Sequence, residues 1–144
     1  MATTATPGRV TAPSHRQLRS RAFAVTAAVL AAFVVWSVAV PLLGVGLTVR
    51  TTPGSSVQTI GAGFVVAVSL LASLLGWGLL AILERRIQRA GTVWTAAAGV
   101  VLLLSLAGPL TAAVTTGGKV SLVALHLSVA AVLIPLLRRT APPR

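Results

Sequence analysis

The chain has 144 residues, of which 56% are hydrophobic and only 9% are charged, and its mean hydropathy is +0.94. A soluble domain usually carries about 25% charged residues, so this composition predicts a membrane protein and excludes an ordinary water-soluble domain. The chain has no cysteine and one acidic residue, Glu84, which excludes disulfides, thiolate metal sites and paired-carboxylate chemistry.

The formal net charge is +11, a value that by itself is also typical of nucleic-acid-binding proteins. The basic residues, however, fall in short clusters beside apolar runs, and no aromatic-rich basic face accompanies them. We therefore expect contacts with membrane lipids, including anionic headgroups, and no nucleic acid.

The first 20 residues are rich in Thr, Pro, Ser and Arg, a composition that cannot bury a core and predicts a disordered basic arm over residues 1–20. A first apolar run follows over residues 22–43. Its 22 residues exceed the core of about 7–15 residues in a secretory signal, which favours an uncleaved membrane span over a cleaved signal peptide.

Three further apolar runs cover about residues 61–83, 92–114 and 120–137, and the four runs are 18 to 23 residues long. Such lengths cross a hydrocarbon core of about 30 Å as helices, in which the backbone satisfies its own hydrogen bonds. The sequence thus predicts an all-α fold: a four-transmembrane-helix bundle in one domain, residues 21–138, followed by a short basic tail, residues 139–144.

The distribution of basic residues predicts the orientation of the bundle. The arm, the second connection and the tail hold ten of the 12 Lys and Arg residues, whereas the first and third connections hold only Arg50 and Lys119. The positive-inside rule then places both termini in the cytoplasm and the protein in the cell membrane as a multi-pass protein. The predicted cytoplasmic anchors are Arg85, Arg86, Arg138 and Arg139.

In the first outer connection, the β-prone runs "LTVR" and "VQTI" flank the turn sequence "TTPGSS". This pattern predicts a short β-hairpin, with an irregular loop as the alternative.

The two halves of the sequence resemble one another. "RAFAV" at residues 21–25 matches "RAGTV" at residues 89–93, and "SVAVPL" at residues 37–42 matches "SLAGPL" at residues 105–110. These matches favour an internal duplication, with chance similarity between apolar segments as the alternative. The shared prolines, Pro41 and Pro109, are predicted to bend their helices near the outer ends.

Small residues recur along one arc of the second and fourth spans. Such stripes let helix backbones approach closely in lipid, and we interpret them as packing seams, with the abundance of Ala and Gly as the competing explanation. The residues of these predicted seams are Ser69, Ala72, Ser73, Gly76, Ser121, Ala124 and Ser128.

His126 lies inside the fourth apolar run. A polar group in hydrocarbon needs a hydrogen-bond partner, and an ionisable residue inside a membrane is by default a functional candidate. Two interpretations stay open: a structural hydrogen bond to another helix, and a role in binding a ligand or moving a proton. One chain supplies too few ligands for a metal or haem, and we predict no cofactor.

Glu84 is followed directly by Arg85 and Arg86, which predicts a solvent-screened local ion pair worth under about 1 kcal/mol. Trp94 falls at the start of the third span and is predicted to lie at the membrane interface. Trp36 and Trp77 lie deeper in their spans, and we expect them to pack between helices.

The segments "VVWSVAVPLLGVGLTVR", "LLGWGLLAILERR", "LLSLAGPLT" and "HLSVAAVLIP" resemble a domain-of-unknown-function family of small actinobacterial four-span membrane proteins. The resemblance covers roughly residues 21–137 and implies architecture without an activity. We see no nucleophile–base pair and expect no enzyme. The leading hypothesis is a structural or interaction component of the cell membrane or envelope, associating with itself or with an envelope membrane protein. The alternative is a small transporter or channel subunit handling an apolar or lipidic ligand.

Overall fold

The computed structural model of the chain describes residues 14–50, 52 and 54–141. Four helical segments in this part are long and apolar enough to cross a membrane, which confirms the predicted four-helix fold. The α-helices are α1 (His15–Ser37), α2 (Ala62–Arg86), α3 (Ala90–Ser105), α4 (Ala107–Ala112) and α5 (Thr116–Thr140). The first segment is α1 with a following π-helical turn, Val38–Leu42, and the third is α3 with α4.

The first helix begins within the arm that we predicted to be disordered. Ser14 caps α1, and its hydroxyl accepts a hydrogen bond of 3.3 Å from the backbone N–H of Gln17. Ser-x-x-Gln is a capping-box sequence, so the helix starts at His15 and the prediction of disorder is wrong for residues 15–20. Residues 1–13 and 142–144, which complete the predicted arm and tail, lie outside the described part.

The last helix also extends beyond its predicted bounds. Thr115 caps α5 through a hydrogen bond from the backbone N–H of Gly118, and the helix continues to Thr140. Arg138 and Arg139 therefore belong to its last turn, where the negative end of the helix dipole favours cations.

Proline accounts for the irregularities in the first and third segments. Pro41 has no N–H to donate to the carbonyl of Ser37, and the regular helix α1 ends there and passes into the π-helical turn. Pro109 likewise cannot donate to the carbonyl of Ser105, where α3 ends. Both prolines lie at the same end of the bundle.

The first helix is the centre of the packing. It packs most extensively on α5 and next on α2, while α3 packs on α2 and α5. The face that α1 buries contains an alanine at every fourth position, namely Ala24, Ala28 and Ala32. Because alanine side chains are small, the backbones of α5 and α2 can come close to this helix.

Two core clusters are stacked along the bundle. The first contains Ala24, Ala28, Leu80, Trp94, Leu133 and Leu137, and the second contains Ala32, Leu47, Val65 and Leu125. Much of the apolar surface stays outside these clusters. On α3, Val101, Leu103 and Leu104 are 62%, 71% and 70% exposed, a surface that suits contact with lipid rather than water.

The predicted β-hairpin is present in the α1–α2 connection. Strand β1 (Thr48–Val49) pairs antiparallel with β2 (Gln58–Thr59), with Thr48 opposite Thr59. A further bond joins the backbone N–H of Ile60 to the carbonyl of Leu47 at 2.8 Å.

Strand β1 also bonds to the connection between α4 and α5. Val49 forms a bridge with Ala113. The backbone N–H of Arg50 donates to the carbonyl of Ala112 at 2.8 Å, and that of Val114 donates to the carbonyl of Thr48 at 3.1 Å. We call this end of the bundle the hairpin end, and the end where α1 begins and α5 finishes the termini end.

Candidate functional site

The only carboxylate side chain in the sequence lies in an ion pair between two helices at the termini end. A guanidinium nitrogen of Arg21, on α1, lies 2.5 Å from a carboxylate oxygen of Glu84, on α2. The side chain of Arg21 is 2% exposed and that of Glu84 is 16% exposed. The predicted local pair with Arg85 and Arg86 is therefore wrong, because helix residues one or two positions apart do not face each other.

The ion pair belongs to a network that also reaches the last helix. Nε of Arg21 donates to the hydroxyl of Thr140 at 3.1 Å, and that hydroxyl donates to the carbonyl of Leu137 at 2.7 Å. The side-chain amide of Gln17 donates to the backbone carbonyl of Thr140 at 3.1 Å. We call Gln17, Arg21, Glu84 and Thr140 the polar clamp, which joins α1, α2 and α5.

The chemistry of the polar clamp is that of a structural lock. A charge-assisted hydrogen bond is about twice as strong as a neutral one, and each charge here has its partner within hydrogen-bond distance. Removing one partner from a buried pair strands the other charge, which costs about 3–5 kcal/mol. The carboxylate of Glu84 therefore stabilises the packing of α2 on α1.

The other basic residues that the structure describes at the termini end are exposed. They include all four predicted anchors, Arg85 and Arg86 in the last turn of α2 and Arg138 and Arg139 in the last turn of α5. The further exposed arginines of this end are Arg16, Arg19 and Arg89. The hairpin end has Arg50 and Lys119, so the charge of the described residues is concentrated at one end of the bundle.

His126 bonds to its own helix rather than to another one. Its Nδ1 lies 2.8 Å from the backbone carbonyl of Leu122, one turn earlier on α5, and the residue is half-buried. A carbonyl only accepts hydrogen bonds, so this contact makes Nδ1 the donor. At about 100° per residue around the axis of α5, His126 and Leu133 point in directions that differ by only about 20°. The side chain of Leu133 reaches α2 at Gly76. The imidazole is therefore on the face of α5 that points into the bundle.

The predicted seam on α2 is largely a buried face. Ser69 and Ser73 are 6% and 0% exposed, and the hydroxyl of Ser69 donates to the carbonyl of Val65. A Cβ atom on Gly76 would lie 3.6 Å from the Leu133 side chain. Ala72 is exposed and differs from the prediction, because it lies at the edge of this arc.

The small residues of α5 are covered less evenly. Ser121 is buried, whereas Ala124 and Ser128 are half-buried. The hydroxyl of Ser128 donates to the carbonyl of Leu125 in the same helix at 2.9 Å. The helix α5, on which these residues lie, packs chiefly on α1.

Trp94 packs inside the bundle, and its predicted position at the membrane interface stays a prediction. The residue is 1% exposed, and its indole N–H donates to the carbonyl of Gly76 at 2.8 Å. The ring lies close to Gly76, since a Cβ atom built on that residue would lie 3.8 Å from it, an ordinary van der Waals distance. Trp77 packs against the same core cluster, and the indole of Trp36 donates to the carbonyl of Ile60 at 3.2 Å.

The sequence contained a signal for one feature that we did not predict. The capping box at Ser14 would have extended α1 to include Gln17. The alanines of α1 recur at intervals of four residues, but alanine is so abundant in the chain that this spacing is inconspicuous.

Residues 12–143 match the family of unknown function DUF6069. The chain belongs to that family. The match begins two residues before the Ser14 cap and includes every member of the polar clamp, so both lie within the family's boundaries. No curated protein and no solved structure matches the chain.

Proposed function

We propose that this member of DUF6069 is a multi-pass membrane protein whose role is structural: it binds a second copy of itself or another protein of the cell membrane or envelope and performs no catalysis. The positive-inside rule supports an orientation with the termini end, and so both termini, in the cytoplasm. The prediction of an actinobacterial source belongs with this proposal.

One observation carries the proposal, namely that the only carboxylate side chain of the sequence and the indole of Trp94 both join one helix to another. The carboxylate of Glu84 is paired with Arg21, and the indole of Trp94 bonds to the backbone of α2. A transporter that exchanges protons through a carboxylate needs an acid that can release its partner, whereas Glu84 is paired with Arg21 and is only 16% exposed. The apolar outer surface of α3 is then available for lipid or for a protein partner.

The proposal is tested by extracting the full-length protein in a mild detergent and recording native mass spectra. We expect a defined homo-oligomer or a stoichiometric complex with another membrane protein. A species that stays monomeric and free of partners at every extraction condition would overturn the structural role.

The orientation is tested separately by single cysteines, because the chain has none of its own. Ser56, in the hairpin connection, and Gln88, between α2 and α3, are both exposed. An impermeant maleimide added to intact cells should label a cysteine at position 56 and leave one at position 88 unlabelled. The reverse pattern contradicts a cytoplasmic termini end.

The alternative function, a small transporter or channel subunit for an apolar or lipidic ligand, is favoured by Ser73. Its hydroxyl is the one buried side-chain polar atom without a hydrogen-bond partner in the described part of the chain. A ligand with one polar group would supply that partner. Under this alternative, Ser73→Ala and His126→Leu reduce uptake of the ligand into proteoliposomes without changing assembly, whereas the structural role predicts no transport in the unaltered protein.

A further inference from the structure

A shallow, open depression, which we call the groove, lies on the surface of α5 along its last two turns at the termini end. Its lining residues are Ile134, Pro135, Arg138 and Arg139. The apolar pair lies about one helical turn deeper in the bundle than the two arginines. The groove is therefore apolar toward the middle of the bundle and strongly basic at the helix end.

The arginines of this groove have no carboxylate side chain available within the chain. Glu84 is the only acidic residue of the sequence, and it is held by Arg21 in the polar clamp. Both Arg138 and Arg139 are exposed. Among the described residues no acid is left to pair with them, so their counter-ion comes from outside this part of the chain. At the end of a membrane helix the abundant anion is the phosphodiester of a lipid.

The shape of the groove suits a lipid better than a soluble anion. A guanidinium binds phosphate oxygens through two parallel hydrogen bonds, and two adjacent guanidinium groups can share one phosphate. The side chains of Ile134 and Pro135 offer an apolar surface one helical turn from the arginines, toward the middle of the bundle. The part of an acyl chain nearest the headgroup would lie there. A free phosphate ion would leave this apolar half without a contact.

We propose that the groove binds one anionic phospholipid, with its phosphate between Arg138 and Arg139 and an acyl chain against Ile134 and Pro135. The proposal deepens the proposed function, because it rests on the chain being a membrane protein. It assigns the anionic-lipid contact to one helix rather than to the whole basic end.

The chain contains a matched control for this site. Arg85 and Arg86 end α2 as Arg138 and Arg139 end α5, and they are not part of the groove lining. The variants R138Q/R139Q and R85Q/R86Q remove the same charge from the same end of the bundle. A lipid that is attracted only by the overall charge would lose the same affinity in both variants.

The experiment titrates the full-length protein in detergent with phosphatidylglycerol, and in parallel with phosphatidylcholine, and counts bound lipids by native mass spectrometry. We expect the first phosphatidylglycerol to bind about tenfold more weakly to R138Q/R139Q, and R85Q/R86Q to change by less than about twofold. A third variant, Ile134→Ser, should lower the affinity for phosphatidylglycerol without changing the charge of the protein. Circular dichroism and gel filtration verify that each variant is folded.

Three outcomes would overturn the proposal. Equal loss in the two arginine variants would show a diffuse charge effect, and equal affinity for the two lipids would show no headgroup preference. Displacement of the lipid by inorganic phosphate, with Ile134→Ser unaffected, would show a soluble-anion site instead. These results are independent of the labelling and assembly experiments above. Failure of the lipid-site proposal can therefore be distinguished from failure of the proposed membrane orientation or partner binding.

Discussion

The two ends of the bundle are held together by different kinds of interaction. At the termini end, side chains join the helices: Arg21 bonds to Glu84 and to Thr140, so α1, α2 and α5 meet in one network. At the hairpin end, backbone groups join the connections, because β1 bonds to β2 on one edge and to the segment around Ala113 on the other. The first end depends on residue identity at a few positions, whereas the second depends on chain geometry.

The difference teaches where substitutions should be tolerated. Backbone hydrogen bonds survive most side-chain changes, so the hairpin end should accept variation along its strands. A buried ion pair does not survive the loss of either member, so the termini end should be sensitive at Arg21 and Glu84. The following substitutions test this contrast, beginning with the largest expected effect.

Glu84→Gln should have the largest effect, because it leaves the Arg21 guanidinium, 2% exposed, without a counter-charge. We expect a loss of about 3–5 kcal/mol in the free energy of unfolding, measured by titration of mixed micelles with a denaturing detergent. Arg19→Gln is the control, since Arg19 is exposed, and should change the value by less than about 0.5 kcal/mol. The double variant Arg21→Met with Glu84→Leu should regain most of the stability. If Glu84→Gln matches the control, the polar clamp does not stabilise the bundle.

Val114→Pro is the corresponding change at the hairpin end, because it removes the N–H that bonds to the carbonyl of Thr48. The carbonyl of the half-buried Thr48 then loses this hydrogen bond, at a cost of about 0.5–1.5 kcal/mol. Val114→Ala keeps the N–H and is the control. Amide hydrogen exchange should show faster exchange at Arg50, the other residue of this bridge, in the proline variant alone. Unaltered exchange there would mean that the two connections are not coupled.

Trp94→Phe should have a smaller effect. The ring keeps its place in the core, but the hydrogen bond to the carbonyl of Gly76 is lost. We expect a loss of about 1 kcal/mol, whereas Trp94→Ala should cost about 3–5 kcal/mol through the cavity that it leaves. Both values come from the same detergent titration. Equal losses in the two variants would assign the role of Trp94 to the hydrogen bond rather than to packing.

His126→Leu should have the smallest effect. Its Nδ1 bonds to the carbonyl of Leu122 within the same helix, and that carbonyl keeps its own helical N–H partner when the imidazole is absent. Leucine is of similar size and suits the surroundings, so the free energy of unfolding should change by less than about 1 kcal/mol. A loss above about 2 kcal/mol would require a partner for Nε2 on another helix.

The four-helix fold was predictable because it depends on a property of long segments. Each span contains enough apolar residues to cross a bilayer, and no single residue decides the result. The hairpin was predictable for a related reason, since the turn sequence and its β-prone flanks are contiguous. The helix bounds were less accurate, because Arg19 and Arg139 are charged and yet helical, and hydropathy alone assigns such residues to loops.

The polar clamp was not predictable from composition or spacing. Glu84 has arginines beside it in sequence, but its partner is 63 residues away, and only the packing of α2 on α1 brings the two together. The environment of Trp94 depended in the same way on a glycine of another helix. The internal duplication stays a prediction: Pro41 and Pro109 both lie where a regular helix ends, but in a π-helical turn in one case and in a separate short helix in the other.

The pairing of α1 with α5 has a consequence for the order in which the protein is made. The helix α1 is made before the other helices described here, yet it packs most extensively on α5. The hydrogen bonds between α1 and α5 join residues that are separated by 119 and by 123 positions in the sequence. Until synthesis of α5 is complete, the alanine face of α1 has only α2 to cover it. At that stage Arg21 can bond to Glu84, but Thr140 has not yet been made. A chain that stops before α5 would remain at that stage, with its most closely packed surface open to other membrane proteins and to quality-control proteases.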